Sequence, residues 1–477
     1  MKRRSTVIKR RRRQRDICKS HEPMLEIPFD LVTEILTRLP AKSLMRFKSV
    51  SKLWSLLICS RTFTNLFVKV SSSPPRLYMW LDIDNRNVLL STSSSSDDSD
   101  VSSFVIDQEL TIPPMKGYYL SHVFGGLMCF VNEPRANIYN TTTRQLVVLP
   151  DIEESNMIAE DHKHKKIMYH IGHDPVHDQY KVVCIVSRPS DEYGEDSYLS
   201  EHWILLLGGD RSNRWRKIPS RFQPHVPVTQ VLNISGRMHY LAWVRFLYSV
   251  LVSFDINSEE ISILELPKEN DFLPMMTDLI EYGGRVALLH HIDLRRQGVL
   301  NLWVVEDSKK NMWSSKTLVL HPSQMHLVNS IGLKVQGTTR NGEVVLVPQN
   351  YTYSHTGEVI CSPQDTTLFY VLLYNLQNNH IRKVEIKDTS NRYLTKDWDV
   401  IGLDDIQNLM AGLEHVLKLP NQDLSIQLQE LAKEFDMLAT CFIDIDDSSF
   451  SITSTLSLSC SVLAYAAGIV LFLPDFF

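Results

Sequence analysis

The residue types best suited to chemistry crowd into one run, DHKHKKIMYHIGHDPVHD, from Asp161 to Asp178. His170, His173 and His177 offer imidazoles, and Asp174 and Asp178 offer carboxylates, the donors that hold zinc. Three or four such groups must converge on the ion, and spacing along the chain does not by itself bring them together. His173-Asp174-Pro175 reads instead as a turn between strands, because Asp bonds its own downstream backbone and Pro presets a turn dihedral. His290, His291 and Asp293 form a sparser group after a strand-like run. No G-x-S-x-G, H-E-x-x-H, Walker A or G-x-G-x-x-G sequence occurs. The Gly-Gly pairs starting at Gly125, Gly208 and Gly283 are explained by turns that need positive φ. The expectation is therefore a chain with no catalytic residue, no metal site and no cofactor.

The elements around that run are those of a globular protein. Its 477 residues suggest two or three domains, and 43% apolar and 22% charged residues are ordinary for a soluble chain. The net charge of −5 is uneven: residues 1–20 carry ten Lys or Arg against Asp16, a balance of +9 that leaves −14 for the rest. Residues 1–22 read as a disordered basic head, serving as a nuclear address, a nucleic-acid arm or a solvated tail. Seven scattered cysteines with no C-x-x-C pair exclude a zinc finger and a disulfide scaffold. No apolar segment follows the basic head as a secretory signal requires, so a reducing compartment is expected, nucleus and/or cytoplasm.

From about residue 76 to residue 388, short strands alternate with turns. One unit recurs: Gly, an apolar strand, an aromatic followed by Asp or Asn, a polar turn, then a strand often ending in Pro. GGLMCFVNEPRANIYNTTTRQLVVLP from Gly125 is one copy, and SGRMHYLAWVRFLYSVLVSFDINSEEISILELP from Ser235 is another. A third begins NGEVVLVP at Asn341. Trp hairpins run from Trp203 to Trp215 and from Trp303 to Trp313. Gly236, Gly284 and Gly342 lie 48 and 58 residues apart, within the range of propeller blades. A β-sandwich is the alternative; it gives no fixed repeat, so a propeller is favoured.

Beyond residue 400 the pattern changes. Residues 400–437 read as a helical extension, with Ile406, Leu409, Met410 and Leu413 at helical spacing. Residues 448–477 form an apolar tail, and Leu456 to Leu473 supplies 18 uncharged residues, at the lower edge of a bilayer span. A tail-anchored membrane protein is the alternative location that this segment raises.

The run IPFDLVTEILTRLPAKSLMRFKSVSKLW, from Ile27 to Trp54, breaks at Pro28 and Pro40 into three short helices. Leu31, Ile35 and Leu39 share one face of the first, while Val32 and Leu36 form the adjoining one. None reaches the ~12–15 residues of marginal helix stability, and together they fall short of the ~40 residues of a workable lone core. One apolar face closes the cluster; another must meet a different surface.

These residues carry a resemblance. Asp30-Leu31-Val32, Glu34-Ile35-Leu36, Arg38-Leu39-Pro40, Ser43-Leu44, Arg46-Phe47, Val50-Ser51-Lys52, Trp54 and Phe63 resemble an F-box over residues 23–70, with Ser49 where plant members commonly have Cys. Residues 71–388 resemble the F-box-associated β domain of plants, through HDPVHDQYKVV from His173, RWRKIP from Arg214 and LVSFDINSEE from Leu251. The implied architecture is multidomain, α plus all-β: a three-helix F-box, a propeller-like domain, then the helical extension. The implied role is substrate recognition in an SCF-type cullin–RING ubiquitin ligase, as a non-catalytic subunit. Its partners would be a Skp-type adaptor, through it cullin and RING subunits, and a protein substrate. The resemblance assigns adaptor contact to Ile27, Pro28, Leu31, Ile35, Leu39, Pro40, Leu44, Val50 and Trp54. Two other readings compete. A nucleic-acid-associated protein would use the basic head, but the acidic body carries no basic stripe. A carbohydrate-binding propeller cannot be separated on fold alone.

Overall fold

The computed structural model describes residues 29–404 except 40, 49, 51, 71–75, 84–85, 98–99, 111–116, 161–163, 191–196, 208–213, 220–221, 246–247, 268–276, 330, 340, 350, 354–358, 362–368 and 389–397. The basic head, all of the expected extension beyond residue 404 and the apolar tail lie outside the described residues. The chain divides into two units; among the described residues the first holds 29–36 and the second 37–404.

Among the described residues four helices precede the strands: α1 (Phe29–Thr37), α2 (Ala41–Phe47), α3 (Lys52–Cys59) and α4 (Arg61–Val70). Where three helices were expected, the described residues thus hold four. α4 starts where the Ser60 hydroxyl accepts the Phe63 N–H at 3.2 Å, an N-cap that satisfies one of the donors left free at a helix start. Phe63 and Phe67, one turn apart, are both buried on its inner side, with ring centroids 6.5 Å apart.

The β domain is a ring of antiparallel units. β1 (Arg76–Ile83), β2 (Arg86–Asp97) and β3 (Asp100–Leu110) open the first. β4 (Tyr119–Phe124), β5 (Leu127–Asn132), β6 (Arg135–Asn140) and β7 (Leu146–Val148) make blade 2. β8 (Lys166–Asp174), β9 (Gln179–Pro189), β10 (Tyr198–Leu206) and β11 (Arg216–Ile218) make blade 3. In blade 4 the innermost strand is split into β12 (Val226–Pro227) and β13 (Leu232–Ile234), both paired with β14 (Arg237–Arg245); β15 (Tyr248–Asp255) and β16 (Ile261–Glu265) follow. β17 (Thr277–Tyr282), β18 (Arg285–His290), β19 (Val299–Asp307) and β20 (Met312–Val319) make blade 5. Blade 6 is β21 (Gly332–Thr338), β22 (Glu343–Gln349), β25 (Tyr370–Asn375) and β26 (His380–Lys387), interrupted by the hairpin of β23 (Tyr351–Tyr353) and β24 (Val359–Cys361).

Closure comes from β27 (Trp398–Asp404), which returns to pair with β1 through Val400↔Met79 and Leu403↔Leu77, completing blade 1. Residues 400–404 are thus a strand, against the expected helical extension from residue 400, and the β domain runs at least to residue 404 rather than 388. Among the described residues the ring has six blades, and six apolar clusters fill the interfaces between successive blades, the last joining blade 6 to blade 1. The propeller reading holds, and the sandwich alternative falls. In β22, Val344 and Leu346 face blade 5 while Val345 and Val347 face blade 1. Alternate side chains leave a strand on opposite faces, so a strand buried on both sides reads as one continuous apolar run.

The repeat seen in the sequence is turn chemistry. Two-residue hairpins at Gly125–Gly126 (φ 59° and 73°) and Gly283–Gly284 (φ 58° and 76°) join first to second strands, a conformation open to glycine. An Asn or Asp at the end of the third strand, preceded by an aromatic except at Glu306-Asp307, then closes the third-to-fourth turn. The Oδ1 atoms of Asn140, Asp255, Asp307 and Asn375 each accept the backbone N–H groups two and three residues on, at 2.9 to 3.2 Å. Four residues on, Arg144, Glu259, Asn311 and Asn379 take positive φ. The Trp hairpins add ties between blades: the Trp215 indole N–H donates to the Pro150 carbonyl at 2.7 Å, and that of Trp313 to the Glu265 carbonyl at 3.1 Å.

Candidate functional site

The nine residues assigned to adaptor contact part company in the structure. Ile27, Pro28 and Pro40 lie outside the described residues. On α1, Val32 and Leu36 are buried, Ile35 is half-buried and Leu31 is 49% exposed. The two apolar faces of this helix are thereby told apart: the Val32/Leu36 face is inward, and Leu31 is left in solvent. Leu39, in the turn that follows, is half-buried.

In the second unit, Leu44 is 0% and Trp54 4% exposed, and the Trp54 ring stacks on Phe47 with centroids 5.3 Å apart. As placed, Leu44 and Trp54 are internal packing residues. Val50, in the turn after α2, is 45% exposed; its N–H is taken by the Phe47 carbonyl at 3.0 Å, so its position is fixed. Leu66 on α4, 40% exposed, was not singled out from the sequence. The signal was present: Phe63 and Phe67 at i and i+4 after Ser60 define a helix whose inner face excludes Leu66.

A second surface belongs to the propeller. In each blade the innermost strand begins, and the second strand ends, at the same face of the ring, so one end of the central wall is built from strand starts. There the Lys334 ammonium on β21 contacts Asp399 on β27 at 2.8 Å and donates to the Val400 carbonyl at 3.2 Å. On β17, Asp278 lies 3.3 Å from Nδ1 of His291. Burial raises the Asp278 carboxyl above the ordinary carboxylate range, with His291 and Lys334 opposing that rise. Three neighbouring blades thus present acidic and basic side chains at this face.

The cluster that opened the sequence reading has a structural use. Asp174 is buried; its Oδ1 accepts the Val176 and His177 N–H groups at 3.0 and 3.1 Å, and its Oδ2 meets Nδ1 of His177 at 3.0 Å and the Lys181 ammonium at 3.2 Å. These contacts hold its carboxyl down at about 2 against the burial that opposes ionisation. His173 pairs with Asp178 at 2.8 Å. The run is the turn between β8 and β9, and His170 points elsewhere, into the interface with blade 4. Among the described residues, no three His, Cys, Asp or Glu side chains converge as a metal site. Cys129 and Cys184 are buried, which pushes both thiols far above the range of a reactive thiolate.

Comparison with known proteins agrees with this division of the chain. The F-box domain family matches residues 24–66, and the family described as F-box associated beta propeller domain matches residues 76–416. The F-box/kelch-repeat protein At4g19930 of Arabidopsis thaliana is 66% identical over 418 residues, covering 86% of this chain and 96% of its own. The F-box protein At4g19940 of the same plant is 61% identical over 407 residues, covering 84% and 95%. Among solved structures, a lectin of Aleuria aurantia in complex with a fucosylated sugar overlaps 66% of this chain and 96% of its own, at 10% identity and a TM-score of 0.35, a likeness too low to carry any argument.

Proposed function

Because the chain belongs to the F-box proteins that carry an F-box-associated β-propeller domain, we propose that it serves as the substrate-recognition subunit of an SCF-type cullin–RING ubiquitin ligase. In this reading the helices dock a Skp-type adaptor, which brings the cullin and RING subunits, and the propeller presents a protein substrate. The covalent chemistry lies in partner enzymes; this chain contributes proximity and orientation. The observation that carries the reading is the set of large apolar side chains, Leu31, Val50 and Leu66, left in solvent by helices of nine, seven, eight and ten residues. Such helices gain most of their stability from packing, and burying a Leu-sized side chain is worth ~1.5–3 kcal/mol. A protein surface that covers them recovers that energy.

The substrate is expected at the propeller face where Asp278, Lys334 and Asp399 stand, because loops on a rigid scaffold there are free to vary without disturbing the ring. The basic head is the proposed nuclear address, and among the described residues no helix is long and apolar enough to cross a membrane. The test is capture of adaptor and cullin by the full chain, compared with Leu31→Asp/Val50→Asp. Loss of both partners with an unchanged thermal transition of the propeller supports the reading. Undiminished capture by the double variant sinks it.

A further inference from the structure

Blade 3 meets its neighbours through a string of imidazoles. His122 on β4 lies 5.7 Å, centroid to centroid, from His170 on β8. The His170 ring faces Tyr240 on β14 at 6.3 Å, Tyr240 faces His225 at 5.7 Å, and His225 faces His202 on β10 at 5.0 Å. All four histidines are buried. They thread the contacts of blade 3 with blades 2 and 4, among aliphatic neighbours such as Val183, Ile185 and Val252.

Two of the four are held by hydrogen bonds at a ring nitrogen. Nδ1 of His122 accepts the Ile171 N–H at 3.0 Å, so its proton sits on Nε2. In His225, Nδ1 donates to the Gln223 carbonyl at 3.0 Å, and Nε2 accepts the Tyr240 hydroxyl at 2.9 Å. Adding a proton to His122 turns its acceptor into a donor facing the Ile171 N–H and breaks a bond that positions β8, whereas at His225 the Tyr240 hydroxyl must turn from donor to acceptor. Neither ring nitrogen of His170 or His202 has a partner among the described residues. A buried imidazole left so destabilises the closed seam, and charging it there destabilises it further.

Among the described residues the surroundings offer no counter-charge. The groups that face the string are Lys166 on β8, the Tyr240 hydroxyl and the histidines themselves; Glu133 acts on Lys166 rather than on any of the rings. Burial holds all four imidazoles below their ordinary range, with like-charge neighbours adding to it at His170 and His202.

We propose that this string makes the junction of blade 3 with blades 2 and 4 an acid-sensitive seam, which opens below the ordinary imidazole range while blades 5, 6 and 1 stay closed. Each imidazole that gains a proton on opening multiplies the opening equilibrium by up to tenfold per pH unit. An open seam frees the edge of blade 3 and any ligand-binding loops it carries, without unfolding the ring.

Hydrogen exchange of the full chain, corrected for intrinsic rates and run at pH 7.5, 6.5 and 5.5, tests this. Protection of β8, β10 and β14 is expected to fall at least tenfold between pH 6.5 and 5.5, and that of β18, β22 and β25 by less than threefold. In His170→Phe/His202→Phe, the two missing protons flatten the fall at β8 by up to a hundredfold; His326→Gln, at an exposed site, leaves it unchanged. A parallel fall in all blades overturns the proposal, as does an undiminished fall in the double variant. If that variant does not fold, the comparison of blades in the unaltered chain decides the matter alone.

Discussion

In the propeller, consecutive residues of β5 and β22 alternate between two neighbouring blades, so every apolar side chain of Leu127–Val131 and Val344–Val347 has a partner within the chain. Exposed apolar residues there sit on outermost strands or at turns and strand ends, as Val148, Met312, Val319, Val176, Tyr119 and Tyr248 do. In the helices the exposed ones sit in the body of the elements, at Leu31 and Leu66, with Val50 pinned by its backbone hydrogen bond. The first region satisfies itself by closing a ring. The second consists of elements too short to do so and keeps apolar surface in reserve.

The largest way to break this contrast is to deny the propeller its closure. Truncation after residue 397 removes β27, with buried Trp398 and Val400, and leaves β1 as an unpaired edge beside the blade 6 interface. Two buried side chains and a ladder of backbone hydrogen bonds amount to more than about 5 kcal/mol, comparable with the whole stability of a domain. The cooperative unfolding transition of the β domain should disappear, while amide protection in α3 and α4 persists. A truncated chain that melts as the full one does would show that the ring is not closed by this strand.

Acid should separate the regions next. Burial lowers His122 and His239 to about 4 from an ordinary value near 6.5. The folded state thus binds fewer protons than the unfolded one between those limits. Stability is full above about pH 6.5 and falls as pH drops toward 4, by about 3 kcal/mol for each of the two. His170, His202 and His225 are shifted in the same direction. No histidine occurs between residues 29 and 70, so the helices lack this liability. Tryptophan fluorescence of the propeller and exchange of the helical amides, followed from pH 7.5 to 4.5, should diverge; equal loss in both would erase the contrast.

How much of this was legible in the sequence follows the same division. The propeller repeat showed because its turns impose residue types: glycine where φ must be positive, Asn or Asp where a side chain must take two backbone N–H groups. It had a gap at blade 3, whose first turn is the four-residue loop from Pro175 to Asp178, closed by Asp174, instead of a Gly-Gly pair. β27 stayed hidden because its partner β1 lies over 300 residues earlier, a pairing that leaves no local trace, and because Ile406, Leu409 and Met410 extend its apolar run at helical spacing. The F-box pattern was plain, yet it did not separate exposed residues from core. Leu31 and Leu44 are the same residue type in the same pattern, and only packing distinguishes the side chain at 49% from the one at 0% exposure.

That pair gives the next prediction. Leu44→Ala should destabilise the helices by about 2–5 kcal/mol through lost transfer energy and a residual cavity. Leu31→Ala should cost the free chain under about 1 kcal/mol, yet weaken adaptor binding by about 2 kcal/mol if Leu31 is a hot spot. Exchange protection of α3 reads the first quantity, and titration with the adaptor reads the second. Two variants that lower stability and affinity in equal measure would mean that contact and core are not separate in this region.

The smallest effect concerns Ser60. Its hydroxyl accepts the Phe63 N–H at 3.2 Å, and its carbonyl accepts the Thr64 N–H at 3.0 Å, so one residue starts the helix that buries Phe63 and Phe67 and leaves Leu66 outside. Ser60→Ala removes only the side-chain cap and should cost about 1 kcal/mol, with Ser60→Asp restoring it because a carboxylate accepts the same bond and suits the positive end of the helix dipole. The loss should be confined to α4 amides, about fivefold in protection, with the propeller transition unmoved. If Ser60→Ala instead lowers protection in α2 and α3 as strongly as in α4, the helices following Pro40 unfold as one unit, and Leu66 is held in place by the whole cluster instead of by its own helix.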